Sequence, residues 1–271
     1  MGITCNNWIL LNKHKEAASE YERKFKQLKN EHVEFAKIKL DKQDISVLKF
    51  IHRFKIVTSK QIWTTIFKNE KYPNRYCNKK LKKLYDLGCI DRFFPAVNSG
   101  SPLVHVVLSK VGAKILDINK FRKIERLPNN WRHTVLSNDI SSYLINKYSL
   151  FILKTEVPME WEEKNGKKKI QADIYVNWDN GSDIGMHVMF EIDTGTESMS
   201  ELYSKLKNYH KYFNSEALKQ ANWQPYKDVI IIPKVVFVMD SEERAKKLQL
   251  SINKKNSNVV FEVQTFKTFN I

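Results

Sequence analysis

The sequence predicts an α+β protein with two domains, a winged helix-turn-helix followed by an α/β domain with a mixed sheet. Residues 41–118 contain three helical patterns, two strand-like runs and a fourth helical pattern. Residues 131–271 contain a helix and three strands, followed by a helix, a strand, a helix and a strand. Basic residues are concentrated in the first half of the chain. These observations predict the division into two domains.

The first 40 residues are predicted to form a helical arm. Residues 13–40 contain no Gly or Pro, and several apolar residues fall near heptad a and d spacing. They are Ala18, Tyr21, Phe25, Leu28 and Phe35. The pattern fits a short coiled coil that forms a homodimer, and it fits equally an amphipathic helix packed on its own domain.

Three helices are predicted in the first part of residues 41–118, which we interpret as the winged helix-turn-helix. We expect the first to be capped by Asp44, the second by Thr58 or Ser59, and the third to begin at Pro73 and end at Gly88. Strand-like runs at residues 89–97 and 103–108 surround a turn-rich tip, and a fourth helix is expected from residue 109. Residues 119–130 are basic and form the predicted linker to the second domain, residues 131–271.

The third helix is the predicted DNA-binding element. In a winged helix-turn-helix this helix lies in the major groove, where Arg and Asn read base edges and Lys mostly contacts phosphates. The alternative is a solvated face on a domain that contacts protein. The polar side chains opposite its apolar stripe are the candidate DNA-binding residues Arg75, Asn78, Lys79, Lys82 and Lys83.

The charge distribution supports a polyanionic partner, which we predict to be double-stranded DNA. The formal net charge is +16, and residues 1–130 hold 27 basic and 12 acidic residues, whereas residues 131–271 hold 19 and 18. Cations near phosphates release condensed counterions, so a concentrated excess favours nucleic-acid binding. A lysine-rich composition that merely aids solubility would be spread evenly.

The cysteines and the apolar segments indicate in which cellular compartment the protein works. The three cysteines, Cys5, Cys77 and Cys89, are widely spaced and suggest neither a disulfide framework nor a zinc site. The most apolar stretch is interrupted by Pro233 and Lys234 and is too short to cross a bilayer. No secretory pattern opens the chain. We therefore predict a cytoplasmic protein without a membrane partner.

Three carboxylates in the second half form a candidate metal site. Asp173 lies in an apolar strand, and Glu191 and Asp193 lie two residues apart at the end of the next strand, on one face of the sheet. Neighbouring carboxylates repel one another, and a divalent cation relieves that repulsion. Mg²⁺ or Mn²⁺ held there could activate water for phosphodiester cleavage. The alternative is that these acids cap turns and the following helix.

The strands that carry Asp173 and Glu191 resemble the core of the PD-(D/E)XK nuclease superfamily. The resemblance implies that these two acids ligate metal and that a lysine two residues after the Glu assists the water. This sequence has Asp193 at that position, which is a departure from the superfamily pattern. Some members carry the lysine on the next helix, and Lys205 is the corresponding candidate. Glu201 and Lys205 also have the spacing of a helical salt bridge, so Lys205 is open to a structural interpretation.

Short motifs from about residue 41 to residue 263 are similar to the replication-relaxation family of plasmids and integrative elements in Gram-positive bacteria. They are Ile-Val-Thr-Ser-Lys-Gln-Ile at residues 56–62, Leu-Ser-Lys-Val-Gly at 108–112, His-Thr-Val-Leu-Ser-Asn-Asp at 133–139, and Glu-Ile-Asp-Thr-Gly-Thr-Glu at 191–197 followed by Lys205, Leu206 and Tyr209. The resemblance implies a role beside a relaxase or replication initiator during plasmid replication or transfer.

Three functions are therefore expected, in this order. The first is a DNA-binding accessory protein in which the second domain is a catalytically silent nuclease scaffold. The second is a metal-dependent endonuclease with Asp173, Glu191, Asp193 and Lys205 as catalytic residues. The third is a transcriptional regulator that uses the winged helix and a dimerising arm.

Overall fold

The computed structural model describes five segments of the chain, residues 39–95, 103–182, 184–226, 228–253 and 259–271. Residues 1–38 of the predicted arm and the predicted hairpin tip at residues 98–102 lie outside the described residues. The coiled-coil dimer therefore remains a prediction. The chain divides into two compact units, Met1–Val135 and Leu136–Ile271, and the division falls inside a helix.

The first unit contains four complete helices in its described part and a small antiparallel sheet with the strand order β1-β3-β2. Its elements are α1 (Lys42–Phe54), β1 (Ile56–Thr58), α2 (Ser59–Thr65), α3 (Pro73–Asp86), β2 (Ile90–Phe93), β3 (His105–Leu108) and α4 (Lys110–Ile115).

The helix starts agree with the predicted caps except at α1. The N-cap of α1 is Asp41, not Asp44, which occupies the third helical position. The backbone N–H of Asp44 donates to Asp41 Oδ1 at 2.9 Å, and that of Asp41 donates back to Asp44 Oδ2 at 3.0 Å. Thr58 caps α2 through the same reciprocal arrangement with Gln61.

The three-residue strand β1 was not expected from the sequence. Its residues are buried, and Ile56 and Thr58 pair with Val107 and His105 of β3. A strand of three residues has too few positions to show alternation of apolar and polar side chains. Its extended conformation therefore depends on a partner that lies about fifty residues further along the chain.

Helix α4 packs closely against the backbone of Cys89, the residue before β2, because the helix contains Gly112. Ser109 caps the helix by accepting hydrogen bonds from the N–H groups of Val111 and Gly112. A Cβ atom at Gly112 would lie 2.2 Å from the carbonyl oxygen of Cys89 and 2.7 Å from Leu108 Cδ1. Only glycine allows this approach of helix to backbone.

The second unit contains most of helix α5 (Trp131–Lys147), since residues 131–135 of that helix belong to the first unit. The elements that follow are β4 (Leu150–Glu163), β5 (Gly166–Trp178), β6 (Met186–Asp193), α6 (Met199–Phe213), a 3-10 turn (Glu216–Gln220), β7 (Lys234–Met239), α7 (Glu242–Asn253), β8 (Phe261–Thr265) and a second 3-10 turn (Phe266–Phe269).

The five strands form the mixed sheet that the sequence predicts, in the order β4-β5-β6-β7-β8. Strands β4, β5 and β6 pair antiparallel, whereas β6, β7 and β8 pair parallel. Helix α5 packs on one face through Ile140 and Leu144. Helices α6 and α7 pack on the other face, where Leu206, Tyr209 and Leu248 are buried. The protein is thus an α+β protein, and its sheet places the end of β6 beside the start of α6.

We expect Gly112→Ala to lower the free energy of unfolding by about 1–3 kcal/mol, because the added methyl group overlaps a backbone carbonyl that has little room to move. The higher helix propensity of alanine, about 1 kcal/mol, acts in the opposite direction. Guanidinium unfolding followed by circular dichroism measures the change. The control Lys110→Ala alters an exposed residue of the same helix and should change stability by less than about 0.5 kcal/mol. Equal stability of Gly112→Ala and wild type would contradict the close packing.

Candidate functional site

Helix α3 presents one buried face and one polar face. It begins at Pro73, a residue favoured in the first helical turn because it lacks an N–H group. The buried face carries Cys77, Lys80, Leu81 and Leu84. The residues between them point to solvent, as the predicted helical spacing requires. Among the candidate DNA-binding residues, four are exposed: Arg75, Asn78, Lys79 and Lys82.

These four exposed residues differ in how strongly they are held by neighbours. The Asn78 side-chain amide donates to Asn74 at 3.1 Å, and the Lys82 ammonium pairs with Asp86 at 2.6 Å. Arg75 and Lys79 form no salt bridge within the described part of the chain. Their charges are therefore the two on this face that protein carboxylates leave uncompensated in the described residues.

Lys83, a predicted DNA-binding residue, is half-exposed and takes part in an ion-pair network with acids of α1. Its ammonium lies 2.5 Å from Asp44, whose side chain is fully buried. Lys80 pairs with the same carboxylate at 3.1 Å and also with Asp41. The hydrogen bond from Lys80, followed by that from the Asp44 N–H, lowers the pKa of Asp41 to about 2. The network joins α1 to α3, and sequence analysis missed it because the partners lie 39 residues apart.

The predicted acidic residues lie where strands β5 and β6 separate. The last paired residues of the two strands are Ile174 and Phe190. Asp173 precedes Ile174 and Glu191 follows Phe190, so the two acids are opposite one another on antiparallel neighbours. Asp173 Oδ2 accepts a hydrogen bond from the backbone N–H of Ile192 at 2.7 Å. The carboxylate of Asp173 thus links the strands beyond their last backbone pair.

Glu191 is a buried carboxylate whose two oxygens both have donors. Only 1% of the residue is exposed. Lys205 Nζ donates to Oε2 at 2.9 Å, and the Tyr209 hydroxyl donates to Oε1. Burial and the nearby charge of Asp173 raise the pKa of Glu191 from 4.5 to about 7, against the opposite effects of Lys205 and Tyr209.

The structure places the Lys205 ammonium beside Glu191. Lys205 Nζ also donates to Glu197 at 2.7 Å, so two carboxylates share one ammonium. Burial by itself would lower the pKa of Lys205, but Glu191 and Glu197 outweigh it and raise the pKa above 10.5. Burial and the charge of Glu191 likewise raise the pKa of Tyr209. Lys205 therefore keeps its proton and acts as a cation at neutral pH.

Asp193 has a partner that sequence analysis did not identify, Arg244 of α7. The guanidinium donates to Asp193 Oδ2 from Nε at 2.9 Å and from Nη2 at 2.6 Å. Asp193 Oδ1 accepts from the N–H of Gly195, which has a φ of +79°. A Cβ at Gly195 would lie 2.3 Å from Asp240 Oδ2, so this loop requires glycine. No spacing rule connects residues 193 and 244.

The three predicted metal ligands each accept hydrogen bonds from protein donors in this arrangement. Within the described residues, no group of three or more His, Cys, Asp or Glu side chains is placed to hold a metal ion. A cation bound jointly by Asp173, Glu191 and Asp193 would require Lys205, Tyr209 and Arg244 to release their carboxylates. In this arrangement protein donors hold the three carboxylates, and the Mg²⁺ or Mn²⁺ site remains a prediction.

The fold and these clusters define an α+β protein with a cationic helix in one unit and ion-paired acids at a mixed sheet in the other. A family model described as replication-relaxation matches residues 48–225, more than half of the chain. The protein belongs to the replication-relaxation family. Membership indicates a role in replication or in the function of a mobile element. The match includes Glu191 and Lys205, whereas Asp44 precedes it and Arg244 follows it.

The curated proteins and the solved structures do not extend the family assignment. No curated protein is similar enough to count as a match. Among solved structures, the crystal structure of protein VC1899 from Vibrio cholerae is 9% identical, with a TM-score of 0.30. The similarity covers 83% of this chain and 48% of that one, so the chain spans about half the length of that protein. In the described segments, no helix combines the length and the apolar character needed to cross a membrane.

We expect Lys205→Ala to lower the free energy of unfolding by roughly 3 kcal/mol, because it leaves the buried Glu191 without its cation. Urea unfolding followed by circular dichroism measures the loss. Lys207→Ala is the matched control, since Lys207 is an exposed residue of the same helix and forms no salt bridge in the described part of the chain. If both variants lose the same small amount of stability, the pairing of Lys205 with Glu191 contributes nothing.

Proposed function

We propose that this protein is a DNA-binding accessory factor in the replication or transfer of a plasmid or other mobile element. It binds duplex DNA through the polar face of α3. The observation that carries this proposal is the exposed cationic stripe on α3, where Arg75 and Lys79 have no carboxylate partner in the described residues. A cation without a protein partner is available to a phosphate.

The order of elements around α3 supports a winged helix-turn-helix. Helices α1, α2 and α3 are followed by the antiparallel strands β2 and β3 and then by α4. In proteins with that arrangement the third helix enters the major groove. The element order and the exposed face of α3 therefore point to the same surface.

The contacts on α3 divide into base reading and backbone binding. Arg75 and Asn78 carry planar groups with paired hydrogen-bonding atoms, which suit guanine and adenine edges. Lys79 and Lys82 present single ammonium groups, which suit phosphates. Lys83 pairs with the buried Asp44, so we assign it the role of holding α3 in position rather than contacting bases.

The second unit acts, in this proposal, as a non-hydrolytic scaffold that meets a relaxase or replication initiator. Glu191 is fully buried, and its two oxygens accept from Lys205 and Tyr209. Asp193 is held by the Arg244 guanidinium. Acids that are committed to protein donors stabilise the sheet and its helices instead of activating water.

Binding of duplex DNA should show two distinct effects of mutation, measured by fluorescence anisotropy over a range of salt concentrations. Lys79→Ala should weaken binding to all sequences and make the slope of log K against log salt shallower by about 0.9, because one phosphate contact is lost. Arg75→Ala should cost about 1–3 kcal/mol on a preferred site and little on random duplex, because it reads a base edge.

The exposed residue Lys207 of the second unit provides the control for both variants. Lys207→Ala should bind duplex as wild type does. If Arg75→Ala and Lys79→Ala also bind as wild type does, α3 is not the DNA-binding element.

A second candidate function is a metal-dependent endonuclease. It is favoured by one observation, the 2.9 Å contact of Lys205 Nζ with Glu191 beside Asp173, which is the combination of residue types found in PD-(D/E)XK-like sites. For cleavage, Lys205 would have to release Glu191 so that the carboxylates could share a cation.

Incubation of supercoiled plasmid with Mg²⁺ or Mn²⁺ separates the two functions. A scaffold role predicts that wild type leaves the plasmid supercoiled, because the buried acids have protein donors in place of a cation. Nicking by wild type that Glu191→Gln abolishes would establish the endonuclease instead. Lys207→Ala serves again as the control, because it should behave as wild type does in either case.

A further inference from the structure

Four of the six residues that line one groove in the first unit are lysines. We call it the basic groove and define it by its lining residues, Lys39, Lys79, Lys82, Lys83, Asp86 and Leu87. Asp86 is the single acid that lines it. Four like charges around one groove repel one another, so the groove favours an anionic occupant.

The carboxylates near the basic groove compensate only part of its charge. Asp86 pairs with Lys82 at 2.6 Å, and the buried Asp44 pairs with Lys83 at 2.5 Å. Lys39 and Lys79 form no salt bridge within the described part of the chain. Two ammonium groups, one from each wall of the groove, are therefore available to a ligand.

The two walls come from distant parts of the chain and are held together by buried ion pairs. Lys39 lies two residues before Asp41, the N-cap of α1, and Asp41 binds Lys80 of α3. Lys80 and Lys83 also bind Asp44 inside the unit. The positions of the walls are thus set before any ligand arrives, which reduces the entropy lost on binding.

The basic groove continues the cationic stripe that we assign to DNA. One side of α3 carries cationic residues at helical intervals, first Arg75, then Lys79, and then Lys82 or Lys83. The groove contains the carboxyl-terminal part of this stripe and adds Lys39 from a different element. An occupant of the groove therefore also lies along the stripe that begins at Arg75.

We infer that the basic groove binds a backbone phosphate of duplex DNA, with Lys39 as a contact that lies outside α3. The inference rests on the proposed DNA-binding function and specifies how one part of that interface works. Lysine ammonium groups act as point charges towards phosphate, so the groove contributes affinity and register but no base preference.

Lys39→Ala tests the groove in an anisotropy titration with random-sequence duplex. The variant should bind about five- to tenfold more weakly near physiological salt, and its salt slope should be shallower by about 0.9, because one phosphate contact is lost. Lys49→Ala is the matched control, an exposed lysine of the same unit that does not line the groove. It should retain wild-type affinity.

Duplexes that carry a neutral methylphosphonate at one backbone position, moved along each strand in turn, locate the phosphate. One position should weaken wild type by about five- to tenfold and weaken Lys39→Ala much less, because that variant has already lost one of the groove's contacts to that phosphate. A phosphate that the groove does not touch would affect wild type and Lys39→Ala equally.

The outcomes separate the groove from the broader proposal. If wild type binds duplex but Lys39→Ala behaves as Lys49→Ala does, the groove does not hold a phosphate and the function of α3 stands. If wild type binds no duplex even at low salt, the DNA-binding function fails and the groove fails with it. Equal sensitivity of wild type and Lys39→Ala at every methylphosphonate position likewise overturns the groove.

Discussion

The structure depends on one constraint, that a carboxylate removed from water needs a cation. Asp44, Glu191 and Asp193 have exposures of 0%, 1% and 2%. Leaving such a charge unpaired costs several kcal/mol, so each of these carboxylates needs a cationic side chain within contact distance. Lysines of α3 reach Asp44, Lys205 of α6 reaches Glu191, and Arg244 of α7 reaches Asp193. Each pair joins a helix to a neighbouring helix or strand, so the same contacts that neutralise charge also position the helices that carry the candidate sites.

This constraint gives the cations of α3 two separate roles. Lys80 faces the interior and, with Lys83, binds the acids of α1, whereas Arg75 and Lys79 face solvent. A count of positive charge along the helix does not distinguish these roles, because both kinds of lysine occur within one helical turn. Lys80 and Lys83 hold the helix in place, and Arg75 and Lys79 are the cations that the proposed interface assigns to DNA. In that proposal a basic helix is part of the core and of the binding surface at once.

The same constraint applies to Asp193, the second buried acid of β6. An acid at residue 193 lies two residues from Glu191, so a second cation is needed close by. Arg244 supplies it and donates from two nitrogens to one carboxylate oxygen. With Lys205 on Glu191 and Arg244 on Asp193, the two acids are balanced from within the protein. Asp193 therefore depends on a contact from α7, which lies beyond the residues that match the family.

Local sequence determined the elements whose signals lie within a few residues. The cap of α2 at Thr58 or Ser59, the helix from Pro73 and the limits of α5 follow from apolar periodicity and caps, because those interactions join near neighbours. The mixed sheet was predicted from the order of helices and strands, although its parallel pairs join distant residues such as Val188 and Lys234. The acids at 173 and 191 and the lysine at 205 were also identifiable from sequence. The cap of α1 is also local, because Asp41 and Asp44 lie three residues apart, and the prediction named the wrong one of the two. Only the tertiary structure decided that β1 exists, that Lys83 pairs with Asp44 and that Arg244 binds Asp193. These features depend on partners roughly forty to fifty residues away or on burial, and burial is a property of the folded chain that no local pattern contains.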